Sequence, residues 1–298
     1  MSAAPPFLRD FSAPAGRAVE LSPLVRRVLA PNAGPMTFTG TCSYVVGRGE
    51  VAVIDPGPAD PAHVAALLAA TAGERVAAIL VTHTHADHSG AARLLREKTG
   101  APLLGCAPHR PTGAARADAV HDLAYAPDGA LLDGESFERE TFSLTAIATP
   151  GHTANHLAFA LAQEKALFSG DHVMGWSTSV VIPPDGSMDA YMASLDRLRG
   201  RDDVVYWPGH GGPVAEPQRR LRALRHHRRQ RELAILSRLE KGAARVDEIV
   251  AAVYPGLDAP LLRAAGLSTL AHLEELAGRG VVRVEGAPYD ADARFSLA

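Results

Sequence analysis

Two cysteines in 298 residues, Cys42 and Cys106, neither with a CxxC neighbour, exclude a disulfide framework. One bridge between them is the most the chain could form, so a reducing compartment such as the cytoplasm is expected. No apolar run approaches the length needed to span a bilayer, which argues against a membrane partner. From Met1 to Pro14 there is no apolar signal core and Asp10 intervenes, so export is not expected. The net charge of −3 excludes a molecule-wide trap for polyanions, and any nucleic-acid affinity would have to be local. Lysine occurs only at Lys98, Lys165 and Lys241, so arginine is the default cation and its clustering carries less meaning.

What is present suits a soluble globular protein: 47% hydrophobic and 21% charged residues, enough for one large domain or two smaller ones. Residues 1–22, rich in Ala, Pro and Ser, read as a loose lead-in. Strands are expected at 24–29, 43–46 and 51–54, the last two joined through Gly47-Arg48-Gly49-Glu50, a hairpin signal. Asp60-Pro61 reads as the N-cap and first residue of a helix. Further strands are expected at 102–105, 142–147, 156–161, 165–168 and 204–207, with a helix over 189–199 and a loop over the site at 106–130. This order is compatible with two sheets packed face to face under outer helices, placing residues 23–215 in one domain.

The chain is organised around Val81-Thr82-His83-Thr84-His85-Ala86-Asp87-His88, between an apolar strand and a helix start. His83 and His85 are two apart, so in extended backbone they point the same way. Asp87 and His88 follow where the chain turns, so four ligand-type side chains can face one small volume. Downstream come Thr149-Pro150-Gly151-His152-Thr153, Phe168-Ser169-Gly170-Asp171 and Trp207-Pro208-Gly209-His210-Gly211.

The run His83-x-His85-x-Asp87-His88, with those three motifs in order, resembles the signature of the metallo-β-lactamase superfamily. The resemblance implies an αββα sandwich of the α/β (α+β) class and two Zn²⁺ or similar divalent ions. It assigns His83, His85 and His152 to the first metal, Asp87, His88 and His210 to the second, and Asp171 to both. A bridging hydroxide would be the nucleophile, kept deprotonated near neutral pH and oriented by Asp87. His156 is a weaker candidate for proton donation to the leaving group. Trp176, Ser177 and Thr178 are candidates for lining the pocket. His172 reads as a neighbour of Asp171, and His63, His109, His121, His226, His227 and His272 have no ligand-like company.

Residues 216–243 read as a connecting helix rich in arginine, from Arg219 to Arg231, which either tracks phosphates or presents a solvated face. Residues 244–298 read as three helices, at 245–253, from Pro260 and at 267–276, then two paired strands: a winged-helix module. This tail, with Asn32-Ala33-Gly34-Pro35-Met36-Thr37 near the start, is similar to the lactamase-beta-like-2 branch. Cys42 departs from that branch, which carries Asn there. One characterised branch member is a single-strand-specific endoribonuclease, so single-stranded RNA or a small molecule is the expected substrate. Thioester (glyoxalase-II-like) and β-lactam hydrolysis are the alternatives, and a winged-helix nucleic-acid binder is the non-enzymatic one. The expected recognition helix offers Glu274 and Glu275, so duplex DNA is not an expected partner. The tail is expected instead to pack against the catalytic domain, shaping one wall of the cleft or supporting a homodimer.

Overall fold

The structure is a computed structural model that describes residues 7–113, 118–287 and 292–298. Strands β1 (Ala18–Glu20), β2 (Val25–Leu29), β3 (Cys42–Arg48), β4 (Glu50–Ile54), β5 (Arg75–Val81), β6 (Leu103–Gly105) and β7 (Gly129–Ala130) form one seven-stranded sheet in chain order. The β3–β4 hairpin turns at Gly49, whose φ of +73° only glycine adopts freely. From β4 onward the neighbours are parallel, which requires crossovers. Helix α1 (Pro61–Ala70) supplies the first; its N-cap Asp60 accepts from the Ala62 N–H. The short α2 (Ala86–Ser89) and α3 (Ala92–Thr99) supply the second.

The second sheet has five strands in the order β12-β11-β10-β9-β8: β8 (Ser136–Glu138), β9 (Ser143–Ala148), β10 (Leu157–Leu161), β11 (Ala166–Gly170) and β12 (Val205–Pro208). Every residue of β10 is buried, because both faces of this sheet are covered. Leu157, Phe159 and Leu161 enter the core shared with Val45, Val53 and Ile79 of the first sheet. Ala158 and Ala160 point the other way, into a core with Tyr191 and Leu195 of α4 (Met188–Leu198). Period-two alternation thus divides one strand between two apolar layers, and the helix–sheet–sheet–helix sandwich follows.

Helix α5 (Pro217–Leu239) runs from one core into another. Leu221 and Leu224 pack under α4, whereas Ile235 and Leu239 join α6 (Val246–Val253), α7 (Ala259–Gly278) and the β13–β14 pair (Val282–Glu285, Arg294–Leu297). Leu273 and Phe295 are fully buried in this third core, each worth ~1.5–3 kcal/mol of burial.

The structure differs from the sequence reading in three places. The two helices expected after Pro260 are one helix, α7, which continues through Gly266. From Phe7 on, the lead-in is packed: β1 pairs with β2, Leu8 N–H donates to Gly175 O, and Arg27 stacks over Phe11. Leu233 of α5, expected to share one apolar helical face with Leu221, Leu224 and Leu236, is 58% exposed. Asp290, expected with Glu285 and Asp292 to make the wing acidic, lies outside the described residues. Among those described, no helix is long and apolar enough to cross a membrane.

Candidate functional site

The seven residues singled out by their motifs come together at one edge of the sandwich, on the loops that leave the strand ends. His83 and His85 follow β5, Asp87 and His88 lie in α2, and His152 lies in the β9–β10 connection. Asp171 follows β11 and His210 follows β12. His83, Asp171 and His210 stand one or two residues past the ends of β5, β11 and β12, so strand register fixes where these donors stand.

Single donor atoms from His83, His85 and His152 lie within 4.8 Å of one another, and so do those of Asp87, His88 and His210, and of His83, His88 and Asp171. His85 Nδ1 is 3.0 Å from both His83 Nε2 and His152 Nε2. His88 Nε2 and His210 Nε2 are 3.2 Å apart. Asp171 Oδ2 stands 3.6 Å from His152 Nε2 and 3.4 Å from His210 Nε2, between the two groups.

On four of the five histidines the outward ring nitrogen is tied down. His152 Nδ1 donates to Val180 O at 2.6 Å, His210 Nδ1 faces Gly40 O at 3.3 Å, and His83 Nδ1 meets the Thr82 hydroxyl at 3.0 Å. His88 Nδ1 is 2.8 Å from Asp55 Oδ2. A partner on the far nitrogen fixes tautomer and ring orientation, as around metal-ligating histidines. Asp171 Oδ1 is buried with no hydrogen-bond partner, and imidazole nitrogens facing each other cannot all be satisfied by one another's protons. A buried His/Asp donor set with an orphaned carboxylate oxygen fits a divalent metal ion.

The site electrostatics divide along the same line. Burial holds the His83, His85 and His152 imidazoles below the usual histidine range, which favours their neutral forms. Burial acts the same way on His88 and His210, but Asp87 and Asp171 more than reverse it. His88 is held well above the usual range and His210 is raised to about 9. Although burial opposes it, His88 and His210 in turn hold both carboxyls well below theirs. One side is a neutral imidazole cradle; the other is an ion-paired one.

Two glycines are needed for this convergence. A Cβ on Gly209 would lie 2.5 Å from both Asp171 Oδ1 and His88 Cε1. Gly170, at φ +47°, would put its Cβ 2.6 Å from His156 Nε2.

The residues given weaker roles fall differently. Trp176, Ser177 and Thr178 line a cavity of about 400 Å³ into which His85, Asp87, His152, Asp171 and His210 also open. Trp176 is stacked on Phe38, with centroids 4.9 Å apart. His156 stands behind the site instead of in it. Its Nδ1 meets the Thr149 hydroxyl at 2.8 Å and its Nε2 accepts from the Asp171 N–H at 3.2 Å, so it positions Asp171 and does not face the cavity. His172 is buried against Tyr191. Cys42 is buried at the start of β3, its thiol pushed up to about 11 by burial, and both cysteines are free.

Sequence reasoning missed two features. Asp55 (φ +50°), at the end of β4, accepts from Thr82 N–H and the Thr82 hydroxyl and holds His88, each at 2.8 Å. Its only sequence signal is an acid ending an apolar strand before Pro-Gly. His109 and His121, read as lacking company, flank Asp185, each with a ring nitrogen 3.5 Å from it. Their rings are stacked 3.7 Å apart and 7° from parallel, so their in-plane lone pairs do not converge on one ion. The arginine helix is also neither free nor merely solvated. Arg220 and Arg228 are buried and donate to Met174 O, Ser177 O and Ser179 O, and Arg225 pairs with Asp196.

Comparison with known proteins agrees with this fold. Residues 36–210 match the metallo-beta-lactamase superfamily, and residues 246–291 match the beta-lactamase associated winged helix domain. An atrochrysone carboxyl ACP thioesterase from Aspergillus fumigatus is 31% identical over 262 residues, covering 80% of this chain and 76% of the relative. The crystal structure of a metallo-beta-lactamase family protein from Thermus thermophilus superposes with a TM-score of 0.75 at 28% identity, over 94% of this chain and all of that one. Another solved structure, in a di-iron-bound form, reaches a TM-score of 0.51 at 29% identity, over 64% of this chain and 95% of the other. The chain belongs to the metallo-beta-lactamase superfamily, as a hydrolase of that fold carrying the associated winged helix domain.

Proposed function

We propose that the protein is a dinuclear metal-dependent hydrolase of acyl thioesters. His83, His85 and His152 would hold one ion and Asp87, His88 and His210 the other, with Asp171 shared. The observation that carries the substrate reading is the cavity beside this cluster, walled by Met36, Val120, Trp176, Ile182, Leu257 and Leu261. An acyl group is matched by such walls; the phosphates of RNA are not. Of the three arginines on the cavity, Arg228 donates to Ser179 O, Arg231 Nη1 donates to Val253 O, and Arg9 lies over the Phe7 ring. The relatives named as thioesterases point the same way, toward the alternative that the sequence reading ranked below RNA.

Bound divalent ions would supply a deprotonated water at neutral pH and polarise the carbonyl oxygen. The chain's own residues do the rest. Asp87, held at Oδ2 by the Thr41 hydroxyl (3.2 Å), orients the attacking water. The apolar walls exclude other water. Hydrolysis adds water across the acyl carbon–sulfur bond: a C–O bond forms, the C–S bond breaks, and the thiol departs with a proton.

In domain terms we assign residues 23–215, joined by the packed segment from Phe7, to the hydrolytic unit. Residues 216–243 are the shared helix and 244–298 the winged-helix unit.

The test is a substrate panel on the full-length protein and Asp87→Asn: acyl-N-acetylcysteamine thioesters, single-stranded RNA and a chromogenic β-lactam. Thioester turnover that disappears in Asp87→Asn is expected. RNA cleavage or lactam opening without thioester turnover would overturn the reading.

A further inference from the structure

The cavity is not closed by the hydrolytic domain alone. Its far wall is α7 of the winged-helix unit, through Leu261, Ala264, Ala265 and Ser268. These positions follow the spacing i, i+3, i+4, i+7, so they form one stripe along the helix. At its centre the stripe carries only methyl groups, and Ala265 is 7% exposed although it borders open space. Small side chains on an inward-facing stripe are what keep this end of the cavity empty. Trp176 lines the same cavity and is held flat by stacking on Phe38, interplanar angle 7°. The whole cavity, about 400 Å³, is that of a pocket for a drug-sized ligand and far exceeds what an acetyl group fills.

Building on the thioesterase reading, we propose that α7 is the size gauge of the enzyme. The Ala264–Ala265 stripe admits a bulky, largely apolar, ring-bearing acyl group between α7 and Trp176, and Ala264 is a specificity-determining residue. The winged-helix unit thus serves substrate selection inside the cleft. The geometry requires one continuous α7: a break at Gly266 would turn Ser268 off the stripe that Leu261 and Ala264 begin.

The test uses the full-length protein with Ala264→Leu and Ala264→Trp, a graded pair in case the larger change disturbs folding. Two readouts are needed. The first is kcat/KM for 2-naphthoyl- and acetyl-N-acetylcysteamine thioesters. The second is equilibrium binding of 2-naphthamide, which cannot be hydrolysed as a thioester, followed by its fluorescence. A gauge predicts that naphthoyl turnover falls at least about tenfold in Ala264→Leu and further in Ala264→Trp, while acetyl turnover changes less than about twofold. Naphthamide affinity falls in parallel. Equal losses on both thioesters, or naphthoyl turnover and naphthamide binding untouched by Ala264→Trp, would overturn the gauge. No thioester turnover by any form, together with naphthamide binding that Ala264→Trp abolishes, would overturn the thioesterase reading and uphold the gauge.

Discussion

The two walls of the cleft are built on opposite principles. On the metal-type wall nearly every polar atom is held: Asp55 on His88, Val180 O on His152, Gly40 O on His210, Thr41 on Asp87. Several of its donors stand directly at strand ends, where register leaves little play. The α7 wall presents a leucine, two alanines and a serine from a helix whose own core is elsewhere. Chemistry that depends on donor positions is placed where the backbone is over-determined. Selection that depends on volume is placed where one side chain can change without moving the catalytic edge.

The comparison can be broken by substitution, beginning with the largest expected effect. Asp171→Ala removes the carboxylate between the two donor groups; kcat/KM should fall by at least about 10³, with bound metal lost in elemental analysis. Asp55→Asn keeps the hydrogen bond from Thr82 N–H but removes the charge behind His88. Metal affinity or activity should drop about 10–100-fold, measured by metal titration, with the melting temperature nearly kept. Trp176→Ala acts on the same cavity and should raise KM for bulky thioesters several-fold, leaving kcat for an acetyl thioester near wild type. Smallest of all, Arg222→Glu and Arg229→Glu, on the exposed face of α5, should change thioester turnover less than about twofold. A large loss there would revive a polyanionic substrate and dissolve the contrast between the walls.

Legibility in the sequence follows the same division. The cluster His83, His85, Asp87 and His88 is local, so its spacing alone predicts convergence, and the sandwich follows from strand and helix order. Asp55 is invisible because its role arises only once β4 pairs with β5, setting Ile54 beside Leu80 and Asp55 N–H on Leu80 O. Gly266 reads as a helix break because glycine costs ~1 kcal/mol relative to alanine; packing of α7 against α6 and α4 overrides that. The arginine run misleads because charge says nothing of direction: Arg220 and Arg228 turn inward, onto carbonyls of the 174–179 loop. His156 misleads through proximity to His152 in sequence, although its ring supports Asp171 from behind.

The central claim is that one edge of the sandwich holds a pair of divalent ions and that hydrolysis depends on both. It is tested most directly by elemental analysis and thioester assay of the same full-length preparation, purified without chelator, beside an Asp87→Ala/His88→Ala double variant. About two equivalents of metal are expected in the wild type and about one in the variant, with turnover lost. A wild-type protein that is folded and fully active with no bound metal would contradict the account.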